Sequence, residues 1–170
     1  MTSVDKNLII SSEKTVALLN TDTMSTNSLF TTNESILRDV ALHVSYSVFY
    51  VTDSADRIHR VSFDGSNSTR LSLSDDLKPW LVSIDWLNER LYVTGSRSEI
   101  VFWEIISYNL DGEDPKIVVN ELSNQPLWME IDPYNGYLFW VTNDGLYRVD
   151  LSNLFNSTVE IEVKLKLYRC

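Results

Sequence analysis

The chain has 170 residues, 44% hydrophobic and 22% charged, with 14 Lys and Arg against 24 Asp and Glu for a net charge of −10. That length and apolar share support one sizeable core and exclude a wholly disordered chain. An acidic balance without any run of Lys or Arg argues against nucleic-acid phosphates and anionic membrane surfaces as partners.

Cys170 is the only cysteine, so neither an internal disulfide nor a Cys-built metal site is expected. The apolar run Leu8-Ile9-Ile10 is too short for a signal peptide, and no window approaches a membrane span. This segment is therefore expected to carry neither an export signal nor an anchor, and to make no direct membrane contact.

In chain order, β-branched and aromatic runs of strand length alternate with turn signals. Residues 8–11, 15–19 and 28–31 read as three strands, a unit lacking its first strand. Residues 37–44, 47–52, 57–63 and 69–73 read as a complete unit of four, and 81–85, 90–94, 103–109 and 116–119 as the next. Residues 127–131, 137–142 and 146–150, with the alternating tail 159–167, form the last. Gly65, Gly112, Gly136 and Gly145 each follow Asp or Asn, dipeptides expected to supply the positive φ of hairpin turns. No stretch has a 3.6-residue period with caps at both ends.

The units are copies of one another. An offset of 47 places Pro79, Ile84, Asp85, Asn88 and Leu91 on Pro126, Ile131, Asp132, Asn135 and Leu138, with Tyr92 on Phe139. About one identity is expected by chance in so short a window. An offset of 42 places Tyr50-Val51-Thr52 on Tyr92-Val93-Thr94. A period in the forties with four short strands per unit is the signature of a β-propeller blade. The chain therefore divides into a partial blade (1–36) and blades at 37–78, 79–125 and 126–170, in all about four.

The segments Ile84-Asp85-Trp86-Leu87-Asn88-Glu89-Arg90-Leu91-Tyr92-Val93-Thr94 and Ile131-Asp132-Pro133-Tyr134-Asn135-Gly136-Tyr137-Leu138-Phe139-Trp140 resemble the YWTD repeats, also called low-density-lipoprotein-receptor class B repeats, of six-bladed propellers. Ser47-Val48-Phe49-Tyr50-Val51-Thr52-Asp53 resembles the strand that follows in that motif. The spelling from Tyr137 through Thr142 to Leu151 is similar to the ectodomain propellers of the Sevenless/ROS receptor tyrosine kinases. The resemblance implies an all-β, incomplete six-bladed YWTD-type propeller whose repeat positions Tyr50, Thr52, Asp53, Ile84, Asp85, Asn88, Tyr92, Thr94, Ile131, Asp132, Asn135, Phe139 and Thr142 are structural. In the family the YWTD aspartates tie one blade to the next; here only Asp53 survives, with Gly95 and Asn143 in the other two slots. Six blades of about 43 residues need roughly 250 residues, so the chain is expected to be a fragment or a truncated isoform, open at its edges and prone to self-association.

Catalytic chemistry has little to work with. His43 occupies the slot of Asp85 and Asp132, and His59 lies mid-strand without a motif, so both read as structural. Asp85 and Asp132 are repeat equivalents rather than an acid/base pair, which needs two different environments. Asp75-Asp76 and the turn at 111–114 lack the spacing of an EF-hand loop and read as solvated turns. Kinase motifs are absent, so the chain is read as non-enzymatic, and no metal or cofactor is expected. Of the five tryptophans, Trp80 and Trp128 stand at blade starts, where propellers of this family present side chains to protein ligands, and they mark a candidate binding face. Sequons at Asn33, Asn67 and Asn156 mark candidate glycosylation sites.

The implied function is a ligand-binding propeller segment of a receptor tyrosine kinase ectodomain on the extracellular side of the plasma membrane, recognising a protein ligand. The alternatives are an endocytic lipoprotein-receptor-like or matrix propeller and a channel-type propeller hydrolase.

Overall fold

The computed structural model describes residues 7–73, 77–97, 102–152 and, for the backbone alone, 160–164. Their strands fall into four antiparallel sheets, each built from consecutive strands. Sheet one contains β1 (Asn7–Ser11), β2 (Thr15–Asn20) and β3 (Ser25–Thr31). Sheet two contains β4 (Leu37–His43), β5 (Val48–Asp53), β6 (Arg57–Ser62) and β7 (Ser68–Leu71). In sheet three are β8 (Leu77–Asp85), β9 (Arg90–Arg97), β10 (Trp103–Asn109) and β11 (Lys116–Leu122), and in sheet four β12 (Trp128–Asp132), β13 (Tyr137–Val141), β14 (Gly145–Asp150) and β15 (Glu160–Lys164).

This is the all-β architecture of a partial propeller, as the repeats predict. Local details differ. β4 stops at His43 because Val44–Tyr46 closes into a 3-10 turn. Gly65, Gly112 and Gly136 take positive φ. Gly145 does not, because it is the first residue of β14, paired with Lys164. β8 starts at Leu77 rather than 81, since Leu77, Lys78 and Pro79 pair with Arg97, Ser96 and Gly95.

Strand alternation sends successive side chains to opposite faces, and here each face meets a neighbouring sheet. Phe49 and Val51 of β5 pack with Val16, Leu29 and Val61 between sheets one and two. Val48 and Tyr50, on the other face of β5, pack with Val82, Ile84, Leu91, Val93, Ile106 and Tyr108 between sheets two and three. Tyr92 and Ile105 meet Met129, Ile131, Leu138 and Trp140 between sheets three and four. A sheet covered on both sides needs strands apolar on both sides, and accordingly β5 is buried along its whole length. Each aliphatic side chain so buried contributes about 1.5–3 kcal/mol.

The first strands of sheets two, three and four, β4, β8 and β12, lie side by side without forming a common sheet. Carboxylates bridge them instead: the Val82 N–H donates to Asp39 Oδ2 at 2.9 Å, and Ser83 Oγ donates to Glu130 Oε1 at 3.1 Å.

Candidate ligand-binding face

The turn after the inner strand is one carboxylate device used twice, in sheets three and four, and replaced in sheet two. The Asp85 carboxylate accepts the Leu87 and Asn88 N–H groups and the Asn88 side-chain amide. Asp132 does the same for Tyr134 and Asn135. The fifth residue closes each turn with positive φ, at Glu89 and Gly136. In sheet two, His43 and Tyr46 replace the Asp and Asn, and Ser47 supplies the positive φ. Their rings stack at 4.3 Å, so ring contact substitutes for the carboxylate bonds. His43 is buried, and neither ring nitrogen has a hydrogen-bond partner among the described residues.

The YWTD positions divide the work differently from the family expectation. Asp53 Oδ1 accepts the Ala55 and Arg57 N–H groups of its own turn, and Oδ2 accepts Ser35 Oγ and Arg57 Nε. Asp53 therefore fixes the β5–β6 turn and the connector from sheet one. Burial alone would raise its carboxyl, but these donors outweigh burial and hold it below the usual range. Contact with the next sheet comes from Thr52 Oγ1, which donates to the Trp80 carbonyl at 2.7 Å, and from Tyr50 Oη, which donates to the Leu110 carbonyl at 2.9 Å. Burial pushes the Tyr50 hydroxyl up to about 12, which keeps it a donor. Thr94 accepts the Leu81 N–H within its own sheet, and Thr142 donates to Asp144. Tyr92 and Ile84 are buried, Ile131 packing in one cluster with Tyr92, and Ile84 in the cluster between sheets two and three, whereas Phe139 stands on the far face of sheet four, opposite Arg148. In the Gly95 slot any side chain would collide: a Cβ there would lie 2.7 Å from the Lys78 carbonyl.

The structure separates the two tryptophans chosen from the sequence. Trp80 is partly buried, edge-on to Trp103 at 5.8 Å, with the Arg38 guanidinium 4.6 Å from its ring centroid. Trp128 is 48% exposed. It borders a groove of about 430 Å³ between the three inner strands, together with Asp39, Leu42, Ser83, Trp86 and Glu130. Burial pushes the Asp39 carboxyl above its ordinary value against the pull of the Val82 and Val40 N–H groups, and the Glu130 charge adds to the rise. Beyond the groove the inner turns form an aromatic rim, with Trp86 edge-on to Tyr134 at 5.3 Å and Val44, Tyr46 and Leu87 exposed. Trp86 and Tyr134 belong to motifs visible in the sequence, but nothing there separates their exposure from the burial of Trp140.

The remaining candidates lie elsewhere. His59 Nε2 is 3.5 Å from Asp53 Oδ2, and burial lowers the ring's pKa despite that carboxylate. Asp114 of the acidic turn is paired with Arg90 and Lys116. Asn33 and Asn67 are exposed; Asn156 and the Asp75-Asp76 pair lie outside the described residues. No helix among the described residues is long and apolar enough to cross a membrane.

No protein-family model matches the chain. It is 28% identical over 141 residues to Sevenless of Drosophila virilis, covering 75% of this chain and 5% of that protein. It is 31% identical over 114 residues to cueball of Drosophila sechellia, covering 65% of this chain and 16% of that one. Over 70 residues it is 36% identical to the proto-oncogene tyrosine-protein kinase ROS of Mus musculus, 41% of this chain and 3% of the kinase. The chain thus spans a small part of each of these relatives. Among solved structures, a chain of a nidogen/laminin complex superposes with a TM-score of 0.76 at 18% identity, over 93% of this chain and 61% of that one. An auxiliary nutrient binding protein from Bacteroides thetaiotaomicron superposes at 0.70 and 12% identity, over 91% and 38%. The fold is that of a β-propeller segment, and over part of its length the sequence resembles Sevenless and ROS.

Proposed function

We propose that the chain is the ligand-recognition segment of a cell-surface receptor ectodomain, holding a protein ligand outside the cell while a kinase elsewhere in the same receptor carries the signal. The similarity to Sevenless over three quarters of this chain carries this reading. Its physical support is the aromatic rim on the inner turns: Trp86, Tyr134 and Tyr46 are exposed on a scaffold whose inner strands are bridged by part-buried carboxylate bonds. Exposed aromatic side chains on a rigid frame are what a protein interface uses as anchors. The segment itself binds rather than catalyses, and Asn33 and Asn67 carry glycans. The outer faces of sheets one and four support contact with further blades or with a second copy.

Sequencing the encoding transcript on both sides tests the assignment. Further blades, fibronectin-type repeats, a membrane-spanning segment and a kinase domain are the expected result. Stop codons directly flanking the segment would overturn the receptor role.

A further inference from the structure

The groove between β4, β8 and β12 has a chemical bias unlike a plain apolar cleft. Its lining contains two carboxylates, Asp39 and Glu130, one hydroxyl, Ser83, and two indoles, Trp86 and Trp128, but among the described residues neither Lys, Arg nor His. Each carboxylate is already positioned. Asp39 accepts the Val40 and Val82 N–H groups, while Glu130 accepts Ser83 Oγ. Neither is paired with a cation in the described ion pairs. A carboxylate keeps acceptor capacity beyond one or two N–H bonds. Asp39 is partly buried and Glu130 stands exposed at the groove edge, and two negative charges flanking one groove attract a positive one placed between them.

The indoles select further. A cation over a Trp face is attracted by the ring quadrupole, and Trp86 and Trp128 are 40% and 48% exposed at the groove. Leu42, also exposed, gives an aliphatic stem a surface to lie on, as long basic side chains prefer. A volume of about 430 Å³ lies within the range of sites for small ligands or short peptide segments.

We infer that this groove receives a basic side chain, a lysine or arginine, presented by an extended segment of a protein ligand, with its charge between Asp39 and Glu130 and its stem against Trp86 and Trp128. The inference rests on the ligand-binding reading above and names the chemistry of the residue recognised. It concerns this chain and synthetic peptides alone, so its failure and that of the receptor assignment are separable.

The test follows the five indole N–H resonances of the 15N-labelled chain during titration with the peptide Ac-Gly-Leu-Lys-Leu-Gly-NH2. Counterparts carrying arginine or norleucine in place of lysine serve as probes of charge. The Trp86 and Trp128 resonances should move with the lysine and arginine peptides, while the norleucine peptide binds at least about tenfold more weakly, as loss of about 1.4 kcal/mol implies. The double variant Asp39→Asn/Glu130→Gln, which keeps the shape and the hydrogen-bond acceptors, should lose that discrimination. Unmoved Trp80, Trp103 and Trp140 resonances would show that it remains folded. Equal shifts with norleucine, no shift at 10-fold excess over a millimolar dissociation constant, or unchanged binding by the double variant would overturn the inference. Shifts with tetramethylammonium but not with the lysine peptide would also overturn it, assigning the groove to a small quaternary amine.

Discussion

Asp53 accepts four hydrogen bonds while fully buried, two of them from Arg57. Removing one partner of such a pair strands the other charge and its donors, and Asp53→Ala should cost about 3 kcal/mol, read as a lower urea midpoint. Asp53→Asn, which keeps an acceptor for the turn amides, should cost less. The pH dependence has the same origin. The folded Asp53 carboxyl lies below its ordinary 3.8, so its stabilisation is present above about pH 4 and is lost as pH falls through the folded value. The His59 pKa is lowered from 6.5, so the unfolded chain takes up that proton first, and stability already declines below about pH 6.5. His59→Gln should flatten the decline between pH 6.5 and 4.5 in urea unfolding; an unchanged slope would remove His59 from the account. His43 and Tyr46 offer a second test. Because their ring stack stands where Asp and Asn bond in the sister turns, His43→Asp and Tyr46→Asn should each destabilise. Combined, they should recover at least about 0.5 kcal/mol of favourable coupling in a double-mutant cycle. Additive costs would mean that the turn in sheet two cannot adopt the sister geometry.

At the scale of the strand, the sequence shows most of what the structure contains, and the exceptions have local causes. β10 runs over the predicted Trp103–Asn109 because an apolar run is bounded there by a turn on its C-terminal side. The N-terminal extension of β8 escapes notice because Pro79, a residue that ordinarily demotes a strand, lies inside it. The ladder is irregular between Pro79 and Val82. That irregularity also explains why Trp80 and Trp128 are poor guides to one common face. An extra residue in a strand changes which face its neighbours occupy, so Trp80 turns toward Trp103 while Trp128 stays half exposed. The groove was illegible for a related reason: Asp39, Ser83 and Glu130 stand on three different strands, and only the stacking of sheets brings them together. Gly95 has the clearest cause. With Leu77 Cδ1 and the Lys78 carbonyl each 2.7 Å from a Cβ at that position, Gly95→Ala should cost about 1–3 kcal/mol. The damage should be local, with accelerated hydrogen exchange at the paired ends of β8 and β9 and protection kept in β13. If Gly95→Ala is neutral in both readouts, the glycine reflects chain history rather than packing.

At the scale of the molecule, among the described residues the two middle sheets are covered on both faces and the two outer sheets on one. Sheet one turns Ile9, Val16 and Leu18 toward sheet two and leaves Leu8 and Ile10 exposed, opposite Leu19 and Ala17 in the ladder. Sheet four buries Leu138 and Trp140 but carries Tyr137, Phe139 and Val141 on its other side, with Arg148 over the Tyr137 ring at 5.0 Å. The two free faces differ, one aliphatic and one aromatic, so the contact they favour is heterologous: sheet one of one copy against sheet four of the next. A heterologous contact propagates unless its rotation closes. The isolated chain should therefore show concentration-dependent association in sedimentation velocity, with species beyond the dimer at high concentration. Leu8→Lys/Ile10→Lys places two charges on the aliphatic face, and it should shift the distribution toward monomer. Because both side chains are already solvent-exposed, stability measured at low concentration should change by no more than about 0.5 kcal/mol per site. Phe139→Lys on the opposite sheet should give the same shift, and mixing the two variants should not restore assembly beyond single contacts, since each still lacks one face. A chain that stays monomeric at every concentration would mean that Arg148 and the half-buried rings of sheet four already shield that end.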